Sequence, residues 1–368
     1  MQSNKIHRLG AMVLAALWLV LTVFAWCLPP RALSESERRP LAQPPQVTVQ
    51  DILDGSFMKE FETYALDQFP GRDSFRKLKA LFHYYALNRA DNNEIYLAED
   101  HAAKLLYPLD VSAVELAMSR LQHVYDKYLK DANAQIYMAV IPDKSFYLAP
   151  ALGYPTMDYD AMFSLVQEKA PWAEHISLTD VLDIEDYYKT DIHWRQENLL
   201  PVAQKLTQTM NLTVPEEQDF TKVSVDRPFY GVYYGQAALP MQAETMYLME
   251  SSVTGACTVY DHETGKTMQV YDPSMLESKD LYDIFLGGAK SLLTVENPNA
   301  KTDRELIVFR DSFAGALVPL LLQDYAAVTL VDIRYISPEV LGNFVEFAGQ
   351  DVLILYSTTV LNTKGILK

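Results

Sequence analysis

Four apolar runs set the strongest constraint on how this chain folds: AQIYMAVIP (134–142), ELIVF (305–309), AVTLVD (327–332) and DVLILYS (351–357). Each is apolar at successive positions instead of alternate ones, the pattern of a strand covered on both faces. Helical patterns lie before and between them: VSAVELAMSRLQHVYDKYLKD (111–131), Asp158–Lys169, Arg195–Met210, GALVPLLLQDY (315–325) and PEVLGNFVEFA (338–348). A helix feeding a doubly covered strand is half of a βαβ unit, so the expected architecture is a three-layer, flavodoxin-like α/β fold. Pro201 is placed in the first turn of its helix, where its missing N–H costs least.

The segment 212–279 breaks this rhythm. Its short β-like stretches MYLME, CTVYD and TMQVYD are separated by Gly, Ser, Thr and Asp, and read as an antiparallel, β-rich insertion. With 368 residues, 49% of them hydrophobic, the chain makes one large or two ordinary folded domains. A net charge of −17 argues against nucleic acid or a strongly anionic polymer as the main ligand. Of the two cysteines, Cys27 lies in an apolar run and leaves Cys257 without a partner, so no disulfide framework is expected.

That run is AMVLAALWLVLTVFAWCL, Ala11 to Leu28, which has no charge and is close to the roughly 20 residues needed to span hydrocarbon. Trp18 and Trp26 suit a membrane segment. An uncleaved anchor is the favoured reading. A cleaved signal peptide is the rival, but the only small-residue site, Val23-Phe24-Ala25 before Trp26, is poor. Lys5 and Arg8 precede the run and Arg31, Arg38 and Arg39 follow it, so local charge does not orient it. Export of the following domain is the expectation. The chain thus divides into an anchor (1–30), a Pro/Arg/Glu/Ser-rich linker (31–50) and an α/β domain (51–368). That domain opens with two helical patterns, one carrying Phe57, Phe61, Tyr64 and Ala65, the other Phe75, Leu78, Leu81, Phe82 and Tyr85, parted by Pro70-Gly71.

The letters RDSF occur twice. Ser74 follows a turn and opens a helix, where Asp73 or Ser74 is expected to act as the N-cap. Ser312 follows the buried run ELIVF and precedes a helical pattern. It therefore projects from the carboxyl edge of the sheet, with helix N-terminal amides beside it for a developing oxyanion. Ser312 or Asp311 as a plain N-cap is the competing reading. A serine nucleophile needs a base. In KTDIHWRQENLLPVAQKL, Asp191 and His193 stand two apart just before a helix, so one loop can present an imidazole whose other nitrogen meets its own carboxylate. A capping aspartate beside a packed histidine is the alternative. The other histidines lack metal-ligand spacing, and no metal site is expected.

These blocks resemble those of SGNH hydrolases in reversed chain order, with the serine late instead of early. This circularly permuted order is similar to that of the AlgX/AlgJ group of alginate O-acetylation proteins, and closer to the Gram-positive DHHW family. The matching pieces are LDGSFMKEFETYALDQFPGRDSF, the strand ending PDK, TDIHW, VFRDSFA, VDIRY and LILYS. The chain departs from the name motif at Ile192, where that motif has histidine, and retains Trp194. The resemblance implies Ser312 as nucleophile, His193 as general base and Asp191 as orienting carboxylate. It further implies an O-acetyltransferase or acetylesterase acting on exported polysaccharide, with no cofactor and with a membrane-bound O-acyltransferase as acetyl donor. A non-catalytic polysaccharide-binding or scaffold protein is the second hypothesis. Further candidates for oxyanion or substrate contacts are Gly231, Gly288 of the Gly287-Gly288 pair, Arg334, Tyr335, Lys144 and Trp194. The glycines also fit ordinary turns, Arg334 a surface ion pair, and Tyr335 a packed ring.

Overall fold

The computed structural model describes residues 2–34 and 36–368, with side chains from residue 7 onward; Lys5 of the charge comparison lies outside the described side chains. Two compact units emerge. One runs to Asn93 and takes in Tyr234–Pro240; the other comprises Glu94–Tyr233 and Met241–Lys368. Residues 51–93 thus group with the N-terminal helix in the first unit.

In the first unit, Gln2–Cys27 forms one unbroken helix. Its His7–Cys27 portion has a mean hydropathy of 2.3 and no buried share, and is long and apolar enough to cross a membrane. Helices Val49–Asp54, Ser56–Asp67 and Arg72–Leu81 follow. The expected side-chain cap at Asp73 or Ser74 is not made. Gly71 turns the chain at φ 70°, a left-handed value that favours glycine, and caps the helix itself. Asp73 instead accepts from Ser36 Oγ at 3.2 Å. An ionic cluster ties the unit together: Arg39 donates twice to Asp67 at 2.9 and 2.6 Å, and Arg72 lies 2.5 Å from Glu37. The Arg39 hydrogen bonds hold the Asp67 carboxyl down at about 2.

The second unit is built on a mixed eight-stranded sheet. Its strands are β1 (Gln135–Ile141), β2 (Glu174–His175), β3 (Thr258–Asp261), β4 (Lys266–Met268), β5 (Leu292–Glu296), β6 (Arg304–Arg310), β7 (Tyr325–Val331) and β8 (Asp351–Ser357). The spatial order is β4-β3-β5-β7-β6-β8-β1-β2. All pairings from β7 through β2 are parallel, and those joining β7, β5, β3 and β4 are antiparallel. The four apolar runs form the central strands β7, β6, β8 and β1. Successive residues serve opposite faces, as the runs require: Leu306 and Val308 join one buried cluster, Ile307 and Phe309 the other. Helices Val111–Val124 and Tyr159–Lys169 cover the second face through Val114, Met118, Leu121, Met162 and Val166. Leu200–Thr209 covers the first through Val202, Ala203 and Leu206, with Pro201 in its opening turn.

Within 212–279, Thr221–Phe229 and Glu244–Glu250 make an antiparallel hairpin, while β3 and β4 pair antiparallel and extend the main sheet. One expectation changes. The predicted helices 315–325 and 338–348 shrink to single turns and 3₁₀ segments (Ala314–Leu317, Val318–Leu320, Leu322–Asp324, Pro338–Asn343). Pro319 lacks the N–H that a continuing helix needs, and Gly342 weakens the second.

Candidate active site

The parallel strands β6, β8 and β1 end side by side, and the residues just past their ends build the site. After β6 the chain turns through Asp311 into Ser312. Asp311 is fully buried. One of its oxygens accepts from Phe313 N at 3.1 Å and the other from Ser357 N, at the end of β8, at 2.8 Å. The local turn is thus capped by Asp311, and the half-buried Ser312 hydroxyl is left for another partner.

That partner is His193. Its Nε2 lies 2.7 Å from Ser312 Oγ, and its Nδ1 lies 2.6 Å from Asp191 Oδ1. A carboxylate only accepts, so Nδ1 carries the proton and Nε2 offers its lone pair to the serine hydroxyl. Asp191 is fully buried, and its position is fixed by two further donors: His193 N at 2.9 Å and Val232 N at 2.7 Å. Tyr282 stacks on the imidazole, with ring centroids 4.0 Å apart and planes 10° from parallel. Burial keeps its phenol neutral by raising its pKa well above the usual value.

The loop carrying Asp191 and His193 is fastened on several sides. Beneath it, the Lys144 ammonium, just past β1, donates to the carbonyls of Ala102, Tyr188, Lys189 and Asp191 at 2.5, 2.7, 3.1 and 3.1 Å. Burial draws this ammonium down to about 7, while Glu244 and Asp191 act in the opposite sense. Glu244 accepts from Lys189 N and Thr190 N, both at 2.8 Å, and from Thr190 Oγ1 at 2.6 Å. Two side chains then join the loop to the serine turn. Trp194 Nε1 donates to Phe313 O at 2.9 Å, and Gln196 Nε2 donates to Ala316 O at 2.8 Å. Both are fully buried.

The lower-ranked candidates settle differently. Lys144 and Trp194 are buried, Lys144 hydrogen-bonded to the loop that carries Asp191 and His193 and Trp194 to the serine turn. The two glycine amides expected to serve an oxyanion are already engaged: Gly231 N–H donates to Thr190 Oγ1 at 2.9 Å, and Gly288 N–H to Phe285 O at 3.2 Å. Phe313 N–H is likewise held by Asp311, and the helix beyond it is one turn long. Gly231 matters for another reason. A Cβ there would sit 2.2 Å from Asp191 Cβ and 2.4 Å from Thr190 O, distances no side chain tolerates. Gly231→Ala is therefore expected to displace Asp191 and lower ester hydrolysis about a hundredfold or more, because an ångström of misplacement has that effect on a positioned base. Steady-state kinetics on the variant checks this. Arg334, past β7, is tied to Asp332 at 2.9 and 2.7 Å, the ion-pair reading, and Tyr335 is about half exposed (49%). Ile192 is half-buried and packs on the core. Ser74 lies on the exposed first turn of its helix, in the other unit.

Tyr282, Glu244, Gln196 and Arg310 escaped sequence reasoning. Arg310 is buried and donates to Gly288 O at 3.2 Å. Only its position at the end of an otherwise apolar strand marked it.

The α/β sheet with a serine, a histidine and an aspartate aligned at its strand ends defines the class, and solved structures share the fold. The chain is similar to a DHHW family protein from Eubacterium siraeum, with 18% identity and a TM-score of 0.58 over 75% of this chain and 94% of that one. It is similar to PatB1 of Bacillus cereus, with 19% identity and a TM-score of 0.58 over 74% of this chain and 98% of that one; another PatB1 structure carries a sulfonyl adduct. A weaker likeness, with 13% identity and a TM-score of 0.45 over 73% of this chain and 92% of that one, is to the O-acetyltransferase domain of Pseudomonas putida AlgJ. No protein-family model and no curated protein matches the sequence. The expected α/β fold, with a central and mostly parallel sheet, is the fold shared with the first two of these proteins.

Proposed function

We propose that this chain is a membrane-anchored, exported SGNH-like enzyme, an O-acetyltransferase or acetylesterase of cell-surface polysaccharide. The observation that carries this reading is the line Ser312 Oγ–His193 Nε2 and Nδ1–Asp191 Oδ1, at 2.7 and 2.6 Å. In the first half-reaction Ser312 Oγ bonds to the acetyl carbonyl carbon, and its proton passes to His193 Nε2. Asp191 stabilises the imidazolium that forms. The donor's oxygen leaves with that proton, and acetyl-Ser312 remains. In the second half a sugar hydroxyl attacks, gives its proton to His193, and departs acetylated while Ser312 regains its hydrogen. Water in place of the sugar gives the esterase outcome.

A permuted order, with base and carboxylate before the serine, is supported by Asp191 and His193 lying ahead of β6 and Ser312 after it. The apolar helix ending at Cys27 would tether the catalytic unit outside the membrane, near a membrane-bound O-acyltransferase that supplies acetyl groups. Incubating the full chain with an acetyl ester donor and oligosaccharide acceptors tests the reading. Acceptor heavier by one acetyl group, dependent on Ser312, supports transfer. Free acetate alone supports the esterase. Neither product with any donor favours the non-catalytic scaffold.

A further inference from the structure

Arg72–Leu81, continued by a π-helical turn at Phe82–Ala86, is amphipathic the wrong way round for a helix in water. Its inner side is formed by arginines: the Arg72 and Arg76 side chains are only 12% and 16% exposed and pair with Glu37. Arg76 also donates to Gly235 O at 2.9 Å. Its outer side carries Phe75, Leu78, Phe82 and Tyr85, which are 48%, 62%, 56% and 67% exposed. At about 100° per residue, Phe75, Leu78 and Leu81 span an arc of roughly 120°, flanked by Lys77 on one side and Lys79 on the other.

Two features of the same unit identify what covers this face. The first is its attachment. Just past the apolar helix, Arg31 N donates to Gln68 Oε1 at 2.8 Å, Gln68 Nε2 donates back to Arg31 O at 2.9 Å, and Arg31 lies 3.7 Å from Asp73. A groove lined by Ala25, Leu28, Phe69 and Gly71 joins the two elements. The Arg72–Ala86 segment therefore begins where the apolar helix ends. The second is charge. Within a chain of net charge −17, and with Arg72 and Arg76 paired to Glu37, residues 72–89 still carry Lys77, Lys79 and Arg89 against one acidic side chain, Asp73. An apolar stripe edged by lysines at the end of a membrane-length helix has the chemistry of an interfacial helix on acidic headgroups.

We infer that Arg72–Ala86 lies on an anionic phospholipid bilayer, with Phe75, Leu78, Phe82 and Tyr85 dipped into the headgroup–acyl boundary and Lys77 and Lys79 at phosphate level. This rests on the reading that the N-terminal helix crosses the membrane. The whole chain bearing Cys27→Ser, whose remaining Cys257 is buried, is reconstituted into vesicles of phosphatidylcholine with phosphatidylglycerol. Single fluorophores are attached at Leu78→Cys, at Leu14→Cys within the apolar helix, and at Glu168→Cys on the exposed surface of the other unit. Quenching by spin-labelled lipid and by aqueous iodide is then measured. The label at 78 is expected to be quenched by shallow lipid spin labels and shielded from iodide. Its lipid quenching should fall about twofold or more in phosphatidylcholine alone. The label at 14 reports deep spin labels, and that at 168 iodide only. Iodide quenching at 78 equal to that at 168 overturns the inference, while a deep signal at 14 in the same vesicles leaves the anchor standing. Shielding at 78 from both quenchers also overturns it, in favour of a protein partner. Loss of the deep signal at 14 overturns the anchor itself and the inference with it.

Discussion

Ser312→Ala is expected to lower hydrolysis of p-nitrophenyl acetate by the full chain at least about a thousandfold, to the level set by binding and orientation alone. The Ser312 hydroxyl makes one hydrogen bond, to His193, and Asp311, not Ser312, caps the turn. Removing a half-buried hydroxyl should therefore change unfolding free energy by about 1 kcal/mol or less. His193→Ala is expected to match the kinetic loss. The double variant should be no worse than either single one, because nucleophile and base act as a unit. Kinetics beside denaturant titration separates loss of chemistry from loss of fold.

The second large effect is expected at Lys144, which lies buried under the loop of Asp191 and His193. Lys144→Met keeps the length of the side chain and removes every donor; Lys189 O retains the Ala102 N–H at 2.7 Å, while the carbonyls of Ala102, Tyr188 and Asp191 lose the ammonium. Unsatisfied buried acceptors of this kind each cost about 1–3 kcal/mol, so a stability loss of about 3 kcal/mol is expected. The freed loop should let His193 drift from Ser312, with a fall in kcat of about a hundredfold. A pH signature accompanies it. Folding lowers the Lys144 pKa from 10.5 to about 7. Between those values the unfolded chain binds a proton that the folded one does not, so this residue makes stability rise with pH across that window. Denaturant titrations at several pH values should show that rise in the wild type and lose it in Lys144→Met.

What the amino-acid order revealed was the part governed by short-range pattern. The runs 134–142, 305–309, 327–332 and 351–357 were legible as doubly covered strands because consecutive apolar residues have to face two buried layers, and they became the centre of the sheet. Ser312, His193 and Asp191 were legible because a strand-to-turn serine and a loop DxH each carry a local signature. Their meeting across 119 positions of chain was an expectation from resemblance, and the structure brings them to 2.7 and 2.6 Å. The supports were not legible. Glu244 lies on a hairpin strand more than fifty residues from the backbone amides it caps, and Tyr282 reaches His193 from a 3₁₀ turn with no motif. Such contacts depend on how the sheet closes, which no window of local sequence encodes. Lys144 was legible by place, at a strand end, but its four carbonyl partners come from segments more than forty residues away and were not.

Covalent trapping tests the central claim most directly. The full chain is treated with phenylmethylsulfonyl fluoride at neutral pH, digested, and its peptides mapped by mass spectrometry. One sulfonyl group on Ser312, absent from Ser312→Ala and strongly reduced in His193→Ala, is the result expected of a serine whose proton is taken by the adjacent imidazole. An unlabelled Ser312, or labelling that proceeds equally without His193, would contradict an activated nucleophile at the end of β6.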